Sequence, residues 1–436
     1  MPLLPTSLAD QAEAAAGDPL RVLVVGAGMA GLTTAQLLRG AGLHPILLDR
    51  LADESHPGYM LALMPMVDPM LTELDAWAPY RERSIGLTHY RARTHTGRVL
   101  RTDSMAEVLH RFGDYRGIER GELIETLSHD GAPVSLATTV TDLREQAHAV
   151  EVTCRQGETS TRLTVDVVVV ADGIGSRTRD LVPGGRETTG TDTGWGGWVV
   201  WSAEDDQGEL AEELWGAGFF LGIYPVLGRR GVFLGGPGAA TAAGPKAFVS
   251  RVRSRLRTID PRVARALQAV IDEPDPFYWA LKDARAPRWT TRRTVLLGDA
   301  AAGFLPTAGI GAGMAMESAW VLATMLRSLL PTAEAGLVTD VTAARPDQAN
   351  RVAADELAAT LARYEQEQRP RVETAQDTSR SLARWMFSES TALAVLRDLT
   401  FRVLSVQSAI APITRLLAHP PDPGRVAAAE SVVRSR

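Results

Sequence analysis

Residues 21–38, RVLVVGAGMAGLTTAQLL, constrain the fold of this chain more than any other stretch. Four apolar residues run into Gly26, Gly28 and Gly31, and small and apolar residues then recur at helical spacing. This pattern predicts a buried strand, a tight turn and a helix. Such glycines let the backbone approach a pyrophosphate, and the start of the helix offers N–H donors. The stretch therefore predicts a dinucleotide site, although a glycine-rich turn alone also serves ordinary packing.

An acidic residue follows at the spacing that a dinucleotide site requires. The segment PILLDR predicts a second strand, and Asp49 lies at its end, roughly 20 residues after the glycines. A carboxylate at that place can accept hydrogen bonds from ribose hydroxyls. The first 50 residues therefore predict a Rossmann-like unit, preceded by a loose tail of about 18 residues.

Two later segments have the same strand-then-glycine pattern. In VDVVVVADGIGSRTRDLV a buried strand leads to Asp172, and in TVLLGDAAAGFLPTAGIGAG another leads to Asp299. Gly309, Gly311 and Gly313 then precede a predicted helix. A carboxylate at a strand end can bind a polyol, and a glycine-rich helix start can present N–H groups to an anionic ring edge. Alone, the Asp172 segment would be interpreted as a strand that ends in a turn with a helix cap. The third segment is also compatible with a glycine-rich turn before a packed helix.

Taken in this order, the three segments resemble the class A FAD-dependent monooxygenases, the family with the p-hydroxybenzoate hydroxylase fold. The resemblance covers most of residues 20–380 and includes an arginine in IERGEL. It implies an α/β fold: a Rossmann-like FAD-binding domain, an inserted mixed β-sheet substrate domain and C-terminal helices. It also implies FAD as cofactor and NAD(P)H as reductant. The FAD-binding positions it implies are Gly26, Gly28, Ala30, Gly31, Asp49, Arg50, Arg120, Asp172, Asp299, Pro306, Gly309, Gly311, Ala312 and Gly313.

Three positions depart from the family's pattern. The usual histidine after the third motif's aspartate is Ala302, the usual asparagine is Gly313, and the usual aspartate five positions later is Ser318. The glycine skeleton is kept, so the resemblance still implies FAD binding. The substitutions fall near the expected flavin ring and leave the reaction open.

The buried-strand pattern of the first domain returns near residue 294, so we expect the second domain to be inserted. Residues 391–418 carry an apolar stripe that predicts an amphipathic helix or helix pair capping the core. The stretch PTAEAGLVTDVTAARPDQ predicts a loop. The expected parts are 18–75, 100–185 and 285–380 for FAD binding, 76–99 and 186–284 for the substrate, and 381–436 for the C-terminal helical segment.

The inserted domain is rich in tryptophan and glycine, and its aromatic residues are candidates for a substrate pocket or for a core. On one strand Trp195 and Trp201 share a face and Trp198 takes the other. The methionine-rich GYMLALMPMVDPM adds an adaptable apolar surface. A large hydrophobic substrate fits this composition. The predicted pocket residues are Trp195, Trp198, Trp201, Phe219, Tyr224, Pro225 and Phe233, with Trp279 and Trp289 as further candidates.

Composition excludes several other classes. A net charge of −6 offers no basic field for nucleic acid. The single cysteine, Cys154, forms no internal disulfide, and the eight histidines lack metal-ligand spacing. We see neither a signal peptide nor a membrane-spanning stretch. We therefore expect a cytoplasmic monomer or homodimer with a small-molecule substrate and no metal.

Three reactions fit the motifs. The first is an FAD-dependent monooxygenase that hydroxylates or epoxidises a bulky hydrophobic, polyketide-like metabolite through a flavin C4a-hydroperoxide, as the resemblance implies. The second is a non-redox cyclase of natural-product biosynthesis that keeps FAD as a structural wall and acts by entropy trapping. The third is an FAD-dependent alkene reductase. In the first and third the flavin carries the chemistry, so no protein nucleophile is expected.

Overall fold

A computed structural model describes residues 3–52, 59–331, 352–422 and 424. From residue 332 onward, the predicted loop falls outside the described residues. Five sheets and fifteen α-helices are formed by the described part of the chain. None of the described helices combines the length and apolarity that crossing a bilayer demands.

The dinucleotide motif begins in a four-stranded parallel sheet, which we call the nucleotide sheet. Its two central strands are continuous runs of apolar residues buried on both faces, as parallel sheets require. The strand near residue 294 joins this sheet although it lies far along the chain, which confirms its predicted return. The strand order is Thr294–Leu296, Val167–Val170, Val22–Val25 and Ile46–Leu48.

Helices cover the nucleotide sheet. The helix after the glycine turn packs against the one that follows the third motif, and a long C-terminal helix packs on the latter. The predicted helices near residues 121, 311 and 351 are confirmed. Together with helices that pack on the other sheets or on one another, the helices of these parts of the chain are Met29–Gly40, Asp68–Glu73, Trp77–Arg83, Met105–Leu109, Arg120–Leu127, Asp299–Ala302, Gly311–Arg327 and Ala354–Met386.

The second large element is a seven-stranded mixed sheet, the substrate sheet. Helices Gly238–Thr241, Pro245–Arg255 and Pro261–Asp272 cover one of its faces. The predicted boundary at residue 100 differs from the observed sheet, because the strand that begins at Val99 pairs within it. Its strands, in order, are Phe277–Lys282, Asp192–Ala203, Arg229–Pro237, Phe220–Val226, Leu210–Trp215, His89–Arg93 and Val99–Ser104.

Three small sheets complete the fold. One is the antiparallel ribbon predicted from the alternation before residue 170. Another packs against strand Phe220–Val226 of the substrate sheet, and the third pairs residues 3–5 with residues 132–134. Their strands are Thr138–Glu145, Val150–Gln156 and Thr159–Val165; Met60–Leu63, Arg116–Glu119 and Ser84–Gly86; and Leu3–Pro5 with Ala132–Val134. A two-residue strand, Ala284–Arg285, forms isolated bridges with Thr189, Ala302 and Gly303.

The predicted N-terminal tail is wrong from residue 3 onward. Strand Leu3–Pro5 pairs in parallel with Ala132–Val134, and helix Leu8–Ala14 follows it. The buried Gln11 amide bonds both main-chain groups of Leu47, donating at 3.2 Å and accepting at 2.8 Å. A three-residue strand and one buried glutamine leave no periodic signal in the sequence, so the prediction missed them.

The C-terminal helices Thr391–Val403, Val406–Ala409 and Ala411–Ala418 form where the amphipathic stripe was predicted, but the first faces the other way. Leu399 is 51% and Val403 is 86% exposed. Arg397 is buried and donates to the carbonyls of Trp215, Gly216 and Trp385. Its neighbour Asp398 accepts from the main chain and ring of His95. These polar anchors, which satisfy buried carbonyls, fix the helix with its leucines outward.

Candidate active site

A cavity of about 850 Å³ runs from the carboxyl ends of the nucleotide strands to the substrate sheet. Ligands of open parallel sheets bind at this edge. All three glycine motifs line one end, and aromatic side chains from the substrate sheet line the other. The cavity is therefore the candidate active site, with a dinucleotide half and a substrate half.

The three glycines of the first turn meet different surroundings. Gly26 has φ +105°, and a Cβ there would lie 2.5 Å from the Ala171 carbonyl oxygen. A Cβ at Gly31 would lie 1.9 Å from the Gly26 carbonyl oxygen. No protein atom lies within 4 Å of a Cβ placed at Gly28, which lines the cavity. Gly26 and Gly31 therefore permit close packing, whereas Gly28 leaves open a cradle that fits a pyrophosphate.

Asp49 is held against this turn. Its Oδ2 accepts from the Ala27 N–H at 2.7 Å, and its Oδ1 accepts from the Leu51 N–H at 2.9 Å. Each carboxylate oxygen has two acceptor positions, so one position on each remains for a ligand. The carboxylate and the adjacent Arg50 both line the dinucleotide half, which fits a ribose beside the cradle.

The second motif is joined to the third by Arg179. This buried side chain donates to the Ala300 carbonyl at 3.0 Å and to the Ile174 carbonyl at 3.2 Å. Asp172 accepts from the Ser176 hydroxyl, which in turn accepts from the Arg179 N–H at 2.9 Å. The two strand ends are thus tied together, and Asp172 is held at the cavity wall.

Asp299 lies at the end of the third motif's strand, after Gly298 with φ +58°. Its carboxyl lines the cavity, and burial raises its pKa from the usual 3.8 to about 6. Removal from water without a countercharge is the cause. A polyol that donates hydrogen bonds to this carboxylate would replace the hydrogen bonds from water that burial removes. The ribityl chain of FAD is such a polyol.

This raised pKa gives a stability prediction for the cofactor-free protein. Because the folded-state pKa exceeds the unfolded value, charging Asp299 destabilises the fold as pH rises between about 4 and 6. We expect Asp299→Asn to be more stable than the parent, with the difference growing by about 1 kcal/mol between roughly pH 5 and pH 7.5. Denaturant unfolding at both pH values measures it.

The matched control is Asp206→Asn at an exposed position, which should show no such growth. A stability gain from Asp299→Asn that stays the same at both pH values would contradict the assignment.

The glycine-rich helix start supplies the wall next to the third motif. Gly309, Gly311 and Ala312 line the cavity together with Pro306. Gly313 does not line the cavity. A Cβ at this position would lie 2.7 Å from the Met66 Sδ. Met66 thus fills the space that a longer side chain at residue 313 would occupy.

The other two departures from the family's pattern are also accommodated by packing. Ala302 is fully buried behind the cavity wall, and the Ser318 hydroxyl accepts from the Gln368 amide at 3.2 Å. The cofactor-binding half therefore keeps its shape with these three residues in place.

The predicted pocket aromatics divide between the two faces of the substrate sheet. Tyr224, Phe233 and Trp279 line the cavity. Trp198 and Phe219 lie on the opposite face and pack in a core with the covering helices. Strand alternation places these aromatic residues on two opposite faces but does not show which face lines the cavity. The covering helices determine that.

The remaining predicted pocket residues lie behind or away from the wall. Trp195 stacks on Phe387 with centroids 4.9 Å apart, and Phe387 rather than Trp195 lines the cavity. Trp201 lies under the Arg229 guanidinium at 3.8 Å. Trp289 packs against Tyr364, outside the cavity. Pro225 is buried where its strand packs against the small sheet that contains strand Arg116–Glu119.

Several lining residues have no signal in the sequence. They include a carboxylate, Glu213, and two of its hydrogen-bond partners, Tyr90 and Trp215. Alternation places Glu212 and Glu213 on opposite faces without telling which faces the cavity. A further wall comes from the C-terminal helices. The missed residues include Tyr90, Arg101, Tyr115, Glu213, Trp215, Phe401, Leu404, Val406, Ile410 and Ile413.

A nucleotide sheet with a glycine cradle, opening onto an aromatic chamber, defines a dinucleotide-dependent enzyme. The family model described as "FAD binding domain" matches residues 19–61 and 118–356. The chain belongs to this family, the class A FAD-dependent monooxygenases, and its cofactor is FAD.

Two named relatives match most of this chain. The chain is 30% identical over 329 residues to 2-heptyl-3-hydroxy-4(1H)-quinolone synthase of Pseudomonas aeruginosa, covering 72% of this chain and 82% of the relative. It is 29% identical over 319 residues to 3-amino-4-hydroxybenzoate 2-monooxygenase of Streptomyces cremeus, covering 70% and 77%.

The fold has a solved counterpart in HpxO of Klebsiella pneumoniae in complex with FAD and uric acid. The TM-score is 0.75 at 21% identity, over 92% of this chain and 97% of that one. The predicted fold class and cofactor are confirmed.

Proposed function

We propose that this chain is an FAD-dependent monooxygenase that hydroxylates or epoxidises a bulky hydrophobic small molecule. The observation that carries the proposal is the continuity of the cavity. The glycine cradle and the aromatic chamber are one space, so a cofactor in the first directly faces a substrate in the second. FAD would supply the activation of O₂, with NAD(P)H as reductant.

The residues of this chain have separate tasks in that scheme. Gly28 and Asp49 would hold the ADP part, and Asp299 the ribityl chain. The start of helix Gly311–Arg327 would direct N–H groups and the positive end of its dipole at the flavin edge, where negative charge develops on reduction. Phe304 and Leu305, which also line the cavity, would keep water from the reacting ring.

The chamber favours a bulky apolar substrate. Phe220, Phe233, Trp279 and Leu281 form its wall on the substrate sheet. The C-terminal helices extend this wall with Phe401, Leu404, Val406 and Ile410. A quinolone with an alkyl chain, as in the name of the Pseudomonas relative, suits this lining and is the first substrate to test.

The test uses the FAD-loaded protein, NADPH or NADH, isotopically labelled O₂ and 2-heptyl-4(1H)-quinolone, with related alkyl quinolones and polyketides. We expect substrate-dependent O₂ consumption and a product that carries one labelled oxygen atom.

Conversion without any change in mass would overturn the proposal in favour of the cyclase. Product that gains two hydrogens under anaerobic conditions would overturn it in favour of the reductase. Reduction of the flavin by NAD(P)H without O₂, followed by its reoxidation in air, is the supporting spectroscopic result.

A further inference from the structure

We propose that Glu213, together with Tyr90 and Tyr224, is the specificity site of the substrate half. It selects a substrate that presents a ring N–H or O–H donor, and it rejects carboxylates. The inference rests on the proposed function, because it names the class of substrate that the same cavity takes.

Glu213 collects donors from three adjacent strands of the substrate sheet. Its Oε2 accepts from the Tyr90 hydroxyl and from the Trp215 Nε1, both at 2.8 Å. Its Oε1 accepts from the Tyr224 hydroxyl at 2.5 Å. All four side chains line the cavity, so this cluster is a built polar spot in an otherwise apolar and aromatic chamber.

The direction of these bonds determines what the spot can bind. Each tyrosine hydroxyl donates a hydrogen bond to the carboxylate. The hydroxyl oxygen therefore has only acceptor positions left for a ligand. Glu213 itself has one acceptor position left after three bonds. A ligand can therefore satisfy this surface only by donating, through an N–H or O–H group.

The local charge acts in the same direction. Among the described residues Glu213 forms no ion pair, and the cluster partners are neutral. Of the arginines that line the cavity, Arg101 is on the strand that pairs with that of Tyr90, and it binds Asp103 and donates to the carbonyls of Phe401 and Leu404. The negative charge of Glu213 is thus not balanced by a cation. In a cavity of low polarity it attracts donors and repels anionic substrates.

Tyr115 connects the cluster to the cofactor half. Burial and the charge of Glu213 both raise the pKa of its phenol, so the hydroxyl stays protonated. The hydroxyl oxygen lies 3.9 Å from a Cβ placed at Gly309, on the turn of the third motif. A ring that donates to the Glu213 cluster is therefore next to the wall expected to bind the flavin.

The geometry thus assigns a substrate class: an apolar molecule with a donor-bearing ring, such as a heteroaromatic N–H or a phenol. Its hydrophobic extension would contact Phe401, Val406 and Ile410 of the C-terminal wall.

The test measures binding to the FAD-loaded protein, by perturbation of the flavin spectrum, in the absence of reductant. The probes are 2-heptyl-4(1H)-quinolone, its N-methyl analogue and 3-amino-4-hydroxybenzoate. We expect the parent to bind the N–H quinolone about tenfold or more tightly than the N-methyl analogue, and the benzoate most weakly. In Glu213→Gln the preference for N–H should fall to within about twofold, and benzoate binding should strengthen.

Two variants accompany it. Glu209→Gln, at an exposed glutamate next to the same strand, should leave all three affinities unchanged. Tyr224→Phe removes one acceptor with little change in volume, and it should reduce the N–H preference even if Glu213→Gln folds poorly.

An N–H preference of the same size in the parent and both cavity variants would overturn the assignment, as would parent protein that binds the benzoate most tightly. Because no turnover is required, failure of the proposed oxygenation leaves this binding result intact. Conversely, oxygenation without an N–H preference overturns only the specificity site.

Discussion

Replacing Gly28 with valine should give a folded protein that is purified without FAD. A Cβ at this position meets no atom within 4 Å apart from its chain neighbours, and φ −77° with ψ −175° is a backbone conformation that valine adopts readily. The side chain does fill the cradle that a pyrophosphate would occupy. We expect FAD affinity to fall about 100-fold or more, which corresponds to about 2.7 kcal/mol, and activity to fall with it. The flavin absorbance per mole of protein and titration with FAD measure the loss.

Gly40→Val is the matched control, since Gly40 lies at the end of the same helix, exposed and also without atoms within 4 Å. It should keep its flavin. Gly31→Ala provides the contrast, because its Cβ would meet the Gly26 carbonyl and the variant should lose stability rather than only cofactor. A Gly28→Val protein that retains a full complement of FAD would show that the cradle is misassigned.

Replacing Trp198 with alanine should cost about 3–5 kcal/mol of stability and leave the flavin content of the folded molecules unchanged. The side chain is 5% exposed. It packs against Phe248 and Tyr278 with ring centroids 5.7 and 5.6 Å apart, on the face of the substrate sheet away from the cavity. Its removal leaves a void under the covering helices. Denaturant unfolding and the ratio of flavin to protein separate the two effects.

Trp201→Ala, on the same strand but half-buried beneath Arg229, should cost far less. Asp299→Ala should show the reverse pattern, weakening flavin retention more than it weakens the fold. If Trp198→Ala released the flavin while Asp299→Ala kept it, the placement of Trp198 away from the cavity and of Asp299 beside the cofactor would both be wrong.

The nucleotide half was predictable because its signals are local. A run of buried valines followed by glycines at fixed spacing indicates a backbone that turns sharply and approaches another chain segment closely. Both features depend on residues that are neighbours in the sequence. The return of the strand near residue 294 was likewise visible in its apolar run. The position of Gly28 at an open cradle and of Asp49 beside it needed no knowledge of distant contacts.

The substrate half depends on contacts that the sequence does not record. Glu212 and Glu213 are neighbours, yet one forms buried ion pairs with Arg93 and Arg262 while the other lines the cavity. Helices from other parts of the chain determine which face of a strand they cover, so the strand's own sequence does not show it. The helix Thr391–Val403 shows the same limit, because Arg397 donates to carbonyls 181 and 182 residues away in the chain, and these bonds outweigh the apolar stripe.

The cavity wall formed by Val406, Ile410 and Ile413 has a consequence for how such enzymes diversify. The cofactor would be held by the nucleotide sheet and its loops, whereas this wall is contributed by one short continuous stretch near residue 410. Mutation or recombination confined to that stretch can change which substrates the chamber binds while the residues expected to bind the cofactor stay unchanged. A library restricted to these few codons is therefore an economical route to new selectivity.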